Sequence, residues 1–190
     1  MDTINDLLTR RGVVNIQNLN EYRSGFGFPI IDYYRGLGFD TEREAFSDIA
    51  DEYVREYSEK LCEAELFCDV SMALERLREN GIRQVIVSAA EGERLRCEVK
   101  SYGIDGYFTD VIGTGDNLGS SKVSLAVNFV SRCGVEREKI LFISDLLHDA
   151  EVAGECGCRA VLISAGHQSA GRLEVSGLPV YGSLSELFAK

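Results

Sequence analysis

The feature that most constrains the fold is a change of pattern near residue 69. From there on, short apolar strand patterns alternate with helical ones; the strands are predicted at 82–88, 107–112, 139–144, 160–163 and 180–181. Such alternation is typical of a parallel sheet whose crossover helices cover its faces. Residues 69–190 are therefore predicted to form an α/β core with a parallel sheet.

Residues 1–68 carry a different pattern, with helical spacing and no convincing strand. Helices are predicted around Leu7, at 29–37 and at 41–65, where Thr41 and Glu44 have the spacing of a capping box. We therefore expect an N-terminal helical cap, residues 1–68, in front of the core.

The charge balance limits the partners of this chain. Its 20 Lys and Arg and 31 Asp and Glu give a formal net charge of −11, which repels nucleic acid and anionic membranes. The N-terminus has no apolar signal core, and no window has the apolar length of a membrane span. The six cysteines are scattered, which favours reduced, buried thiols. We expect a cytoplasmic protein that binds neither nucleic acid nor membrane, and its oligomeric state is left open.

Two strand or helix ends in the predicted core suit an anionic ligand, which in open parallel sheets binds at the carboxyl ends of the strands. Ser88 and Ala89 end the first strand, where a hydroxyl and free backbone N–H groups precede a helix. Ordinary helix capping by Ser88 is the alternative. Lys122 opens a later helix, where the dipole disfavours a cation, so it is either solvated or held toward a negative ligand.

The end of the strand at 139–144 gives the strongest signal, because Asp145 and Asp149 follow it. Two carboxylates four residues apart across a strand-to-helix turn can converge on a hard cation such as Mg²⁺, which takes oxygen ligands. Helix capping by one of them is the alternative. His148 and His167 lack the partner spacing of a zinc site or a catalytic base, and both are interpreted as loop residues.

Together, VIVS at 85–88, Lys122 and ISDLLHD at 143–149 resemble the second, third and fourth motifs of the haloacid dehalogenase (HAD) superfamily. The helical residues before 66, with GFGFP at 25–29, resemble the cap of its phosphoglycolate-phosphatase-like members. The resemblance implies a Rossmann-like, HAD-like core with a helical cap. It also implies a Mg²⁺ cofactor and a small phosphorylated metabolite as substrate, phosphoglycolate-like or a sugar phosphate.

The resemblance further implies a role for each of these residues. Ser88 and Ala89 would bind the transferring phosphoryl group together with Lys122, which would also stabilise the nucleophile. Asp145 and Asp149 would hold Mg²⁺, and Asp145 points to a phosphatase because the family's dehalogenases need no metal.

One motif of the family is missing from the sequence. The first motif, an apolar strand ending in Asp-x-Asp-Gly-Thr, supplies the nucleophile and the general acid, and no such run occurs. In the family's sheet this strand lies between the strands that end at Ser88 and Asp145, so a gap is expected there. Activity is left open between an inactive chain of a phosphatase parent and a genuine non-catalytic binding module.

Overall fold

The structure is a computed structural model that describes residues 1–61, 64–115 and 122–189. Its N-terminal part is helical, with α1 (Asp2–Arg10), α2 (Leu19–Gly25), α3 (Ile30–Leu37) and α4 (Phe46–Lys60). The helices α1, α3 and α4 confirm the helical pattern of this region. The domain boundary at 68/69 stays a prediction.

Helix α2 is not among the predicted helices, although the sequence carries its start signal. The side chain of Asn18 accepts a hydrogen bond from the backbone N–H of Glu21 at 2.9 Å. The carboxylate of Glu21 in turn accepts one from the N–H of Gln17 at 2.7 Å. This reciprocal pair satisfies donors that a helix start leaves unpaired.

The capping box predicted at Thr41 and Glu44 is wrong. Both residues lie in a turn, and α4 begins after Ala45 without a side-chain cap. Glu44 instead accepts two hydrogen bonds from the guanidinium of Arg11, at 2.8 and 2.5 Å. A bidentate, charge-assisted contact with a distant arginine has replaced the local bond.

The N-terminal helices enclose an apolar cluster of their own. Leu7, Leu8 and Ile49 are fully buried in it, together with aromatic side chains of α2 and α3. Leu146, which comes from the second half of the chain, packs into the same cluster. The N-terminal helices are therefore anchored beside Asp145.

The rest of the chain alternates helices and strands, as predicted. In order they are α5 (Val70–Glu79), β1 (Val85–Glu91), α6 (Gly92–Ser101), β2 (Asp110–Thr114), α7 (Lys122–Arg132), β3 (Leu141–Ser144), α8 (Leu147–Cys156), β4 (Arg159–Ile163), α9 (Ala170–Leu173), β5 (Val180–Tyr181) and α10 (Leu184–Phe188). Every strand pairing is parallel. The predicted α/β fold class is confirmed.

These strands form two separate sheets. One contains β1 and β2, and the other contains β3, β4 and β5 in that order. In the described part of the chain β1 and β3 do not pair with each other, so each keeps an open edge. The expected gap between the strands of Ser88 and Asp145 is present. Helices α7 and α8 bridge it on one face, where Val87 and Phe142 pack against the same cluster.

The strands beside this gap are more exposed than a buried parallel sheet requires. All of β1 is only half-buried, and Leu141 and Ile143 of β3 are 42% and 38% exposed. Parallel strands normally have neighbours on both edges and helices on both faces. An open edge removes part of that cover.

The prediction of buried thiols holds only in part. The cysteines that the structure describes are free, and Cys156 is buried, but Cys68 and Cys97 are exposed. Cys62 lies outside the described residues. Within the described ranges, no helix combines the length and the apolar character that crossing a bilayer requires.

Candidate functional site

Lys122, Ser144 and Asp149 form a polar cluster at the carboxyl end of β3. Asp149 lies in the first turn of α8 and is 5% exposed. The Nζ of Lys122 lies 2.7 Å from both carboxylate oxygens and donates its hydrogen bond to Oδ2. The hydroxyl of Ser144 donates to the same oxygen. Lys122 is thus paired rather than solvated.

The other oxygen of Asp149 is left with an incomplete environment. Oδ1 is buried and accepts no well-oriented hydrogen bond from the described residues, although the ammonium of Lys122 is close to it. A buried carboxylate oxygen normally has a hydrogen-bond partner or a bound cation. Oδ1 is therefore the atom of the cluster best suited to meet a ligand.

Asp145 follows β3 directly, but its carboxylate faces a different partner. Its Oδ2 accepts a hydrogen bond from the backbone N–H of His167 at 2.6 Å. Gly166 permits this approach, because a Cβ at that position would clash with the carboxylate. Asp145 and Asp149 therefore lie at the same end of β3 and are held by different segments.

The two carboxylates fit a Mg²⁺ ion in part. Carboxylate oxygens are the ligands that Mg²⁺ prefers, and Oδ1 of Asp149 accepts no well-oriented hydrogen bond from the described residues. Lys122 already neutralises Asp149, however, and the described residues contain no group of three His, Cys, Asp or Glu placed to hold a metal. A Mg²⁺ at this site would need further oxygens from water, substrate or another acidic residue.

Ser88 lies within β1 and not at its end. Its hydroxyl accepts a hydrogen bond from the N–H of Ala90 at 3.1 Å. The strand continues to Glu91, whose carboxylate caps α6 by accepting from the N–H groups of Glu93 and Arg94 at 2.8 and 2.9 Å. These bonds hold the pKa of the Glu91 carboxyl below its usual value. The N–H groups at the start of α6 are therefore paired with a protein carboxylate, and the strand predicted to end at Ser88 continues to Glu91.

Ala89 also makes a local contact. Its carbonyl accepts a hydrogen bond from the hydroxyl of Thr114 at 3.2 Å, which ties β1 to the end of β2. Both Ser88 and Ala89 are half-buried. Their binding of a phosphoryl group stays a prediction.

The loop after β4 connects Asp145 to the N-terminal helices. The hydroxyl of Tyr22 and Nδ1 of His167 share a hydrogen bond of 2.7 Å, and the imidazole stacks on Phe26 at 4.6 Å. Gln168, which is 3% exposed, donates to the carbonyl of Phe26 at 3.0 Å and accepts from the N–H of Leu147 at 2.8 Å. The loop is thus a structural bridge between the two parts of the chain.

These bridging residues are absent from the sequence prediction, which interprets His167 as a plain loop residue. Burial lowers the pKa of His167, while the charge of Asp145 acts in the opposite direction. No spacing signal marks the contact, because Tyr22 and His167 are 145 residues apart. Only the folded chain brings them together.

Comparisons with known proteins accord with this arrangement. A family model described as haloacid dehalogenase-like hydrolase matches residues 1–163. A phosphoglycolate phosphatase of Rhodobacter capsulatus is 29% identical over 168 residues, which cover 86% of this chain and 76% of that protein. One of Mannheimia succiniciproducens is 29% identical over 114 residues, which cover 58% of this chain and 50% of that protein. The chain thus spans about half of the second relative's length.

Solved structures show the same fold. A predicted phosphatase from Clostridium acetobutylicum has a TM-score of 0.81 at 16% identity, covering 98% of this chain and 87% of that chain. A haloacid dehalogenase-like family protein from Streptococcus pneumoniae has a TM-score of 0.82 at 18% identity, covering 99% and 88%. At these identities the likeness establishes the fold.

Proposed function

Because this chain belongs to the haloacid dehalogenase-like hydrolase family, we propose that its parent activity is Mg²⁺-dependent hydrolysis of a small phosphomonoester. The observation that carries the proposal is the cluster of Lys122, Ser144 and Asp149 beside Asp145, at the strand ends where open α/β sheets bind ligands. The relatives named phosphoglycolate phosphatase support a phosphoglycolate-like or sugar phosphate substrate.

In this proposal the named residues act on the anionic phosphoryl group. Ser88 and Ala89 would bind its oxygens, and Lys122 would neutralise charge that develops during transfer. Asp145 and Asp149 would hold Mg²⁺, which when bound supplies further positive charge to the phosphate oxygens. The ion pair of Lys122 with Asp149 already fixes a cation at this position.

The reaction also requires a nucleophile. A carboxylate oxygen attacks phosphorus, the bond to the leaving oxygen breaks, and an acid protonates that oxygen; water then cleaves the aspartyl-phosphate and releases phosphate. The 190 residues contain no apolar strand that ends in Asp-x-Asp. We therefore propose that the chain by itself does not turn over.

A phosphatase assay with p-nitrophenyl phosphate and Mg²⁺ tests both statements. The 190-residue chain should release no p-nitrophenol. A fusion that adds an apolar strand ending in Asp-x-Asp-Gly-Thr should gain activity, and Asp145→Asn should abolish that gain. Asp110→Asn is the matched control, because it alters an ion pair with Arg83 at the first residue of β2, away from the candidate site.

The outcomes of this assay separate the two statements. Turnover by the unmodified chain would refute the absence of a nucleophile. A folded fusion without turnover, or one indifferent to Asp145→Asn, would refute the phosphatase proposal.

A second candidate function is a non-catalytic binding module, which the open edges of β1 and β3 favour. Unpaired strand edges can accept an extended segment of another chain through backbone hydrogen bonds. This candidate predicts that an added apolar strand peptide protects the amides of β1 and β3 from hydrogen exchange and creates no turnover. Unchanged exchange at both strands would exclude it.

A further inference from the structure

A cavity of about 160 Å³ lies among the N-terminal helices, with none of the proposed catalytic residues in its wall. No Asp, Glu, Lys or Arg is among the lining residues in the described part of the chain. The wall is mostly aromatic, with rings from Tyr22, Phe26, Tyr33, Tyr34, Tyr53 and His167. The cavity is therefore an uncharged space inside a strongly acidic protein.

The rings of the wall pack against one another in defined geometry. Phe26 meets Tyr33 edge-on at 5.1 Å, and Tyr34 meets Tyr53 edge-on at 6.3 Å. Edge-to-face contacts of this kind stabilise a fixed arrangement of rings. The wall offers an anion no Lys or Arg side chain in exchange for the hydration it would lose, so the cavity disfavours phosphate and carboxylate.

One buried polar group in the wall has no hydrogen-bond partner among the described residues. Tyr33 is 9% exposed, and its buried hydroxyl makes no hydrogen bond with the described residues. The hydroxyl of Tyr22, by contrast, shares a hydrogen bond with His167. A buried hydroxyl without a hydrogen-bond partner is costly. The hydroxyl of Tyr33 is therefore the group in this wall that would gain most from a hydrogen bond to a ligand.

Water alone is a poor occupant of this space. Each water takes roughly 30 Å³ and needs about two to four polar partners, whereas the wall offers mainly aromatic carbon. The volume is instead close to that of an apolar cavity of about 150 Å³ that binds benzene. Size and lining both match one six-membered ring.

We propose that this cavity binds a small, uncharged ring compound that carries one hydrogen-bonding group, and that this group pairs with the hydroxyl of Tyr33. A phenol or a cyclic alcohol has this chemistry. The cavity shares no lining residue with the proposed phosphatase residues, and binding in it requires no turnover.

The wall also contacts the candidate functional site. The imidazole of His167 lines the cavity, and the backbone N–H of the same residue donates to Asp145. A bound ring therefore lies against the residue that orients Asp145. His167 also provides a spectroscopic reporter, because the chain has only two histidines.

The experiment measures the binding of phenol, benzene and benzoate to the purified chain and to Tyr33→Phe by calorimetry. Phenol should bind the unmodified chain about 3- to 10-fold more tightly than benzene, the worth of one net hydrogen bond. In Tyr33→Phe this ratio should fall to about one with benzene affinity unchanged. Benzoate, a ring with a charge, should not bind either form.

Two controls keep the result specific. Tyr57→Phe removes a hydroxyl from a ring that stacks on Tyr53 but does not line the cavity, and it should leave the ratio unchanged. Phenol should shift the NMR signals of the His167 ring far more than those of His148. Circular dichroism should confirm that both variants are folded.

Three results would overturn the proposal. They are the absence of phenol binding, a phenol-to-benzene ratio that Tyr33→Phe does not change, and binding that leaves the His167 signals in place. Any of these would mean that the cavity holds only water or is not formed in solution.

Discussion

The N-terminal helices and the two sheets differ in how completely they bury their apolar residues. Leu7, Leu8 and Ile49 are fully buried between α1 and α4. Leu141 and Ile143 of β3 remain exposed, and β1 is half-exposed along its whole length. The helical part has a closed core, whereas the sheets are open where the candidate site lies.

The contrast follows from how the two kinds of element satisfy their backbone. A helix pairs its N–H and C=O groups internally, so a few helices can close a core on their own. A parallel strand needs a neighbour on each edge, and β1 and β3 each have only one. The open edges of β1 and β3 therefore bear on the packing of the sheets and on the candidate site together.

The comparison is tested most strongly by one substitution made in each region. Leu7→Ala should lower the free energy of unfolding by about 3 kcal/mol, because it leaves a cavity in a closed core. Leu141→Ala makes the same change at an exposed strand position and should cost less than about 1 kcal/mol. Urea denaturation followed by circular dichroism measures both.

Equal losses for the two variants would show that β3 is covered in solution. A strand added at the open edge sharpens the test, because covering Leu141 should raise the cost of Leu141→Ala. The cost of Leu7→Ala should not change.

The ion pair at the candidate site gives the second prediction. Lys122→Met leaves the carboxylate of Asp149 buried without a cation and should destabilise the chain by about 2 kcal/mol. Lys139→Met removes a cation from an exposed pair with Glu136 and should change stability by less than about 0.5 kcal/mol. Thermal denaturation at neutral pH compares them, and equal shifts would mean that Asp149 is solvated.

The bridge between the two regions gives a third, smaller effect. Gln168→Ala leaves the carbonyl of Phe26 and the N–H of Leu147 unpaired in a buried place, at a cost of about 1.5 kcal/mol. Gln17→Ala alters an exposed side chain and should be neutral within about 0.5 kcal/mol. If urea midpoints show no difference, the N-terminal helices do not depend on this bridge.

The sequence predicts those features that depend on local pattern. The strand leading to Asp145 and the helix that follows it have local apolar periodicity, and both are present in the structure. The resemblance in motif order predicts the gap between β1 and β3, and the described strands form two separate sheets there. The pairing of Lys122 with Asp149 is compatible with the predicted site, but no spacing rule specifies it.

The remaining features depend on competition between distant groups. Glu44 binds Arg11 and therefore does not cap the helix near it. Glu91 caps α6, although serine, the residue type at position 88, has the stronger intrinsic preference for the N-cap position. The contact of Tyr22 with His167 joins segments at opposite ends of the chain. A single sequence does not determine such contacts, because each depends on the packing of other elements.

Alkaline pH gives the last test, because it acts on the tyrosines of the closed helical core. Burial raises the pKa of Tyr53 to about 12 and also raises the pKa values of Tyr22, Tyr33 and Tyr34. In the unfolded chain tyrosines ionise near pH 10, so above that pH the unfolded state binds fewer protons than the native state. Stability should therefore fall as the pH rises from 10 toward 12.

Tyr53→Phe isolates the share of one ring in this loss. Between pH 9 and pH 11 the variant should lose about 1 kcal/mol less stability than the unmodified chain, because it has no proton to release at this position. Between pH 7 and pH 9 the two stability curves should run parallel, which serves as the internal control. Absorbance at 295 nm should show tyrosinate appearing together with unfolding. Curves that stay parallel up to pH 11 would mean that Tyr53 is open to solvent. The difference in burial between the helical core and the two sheets would then be smaller than the structure indicates.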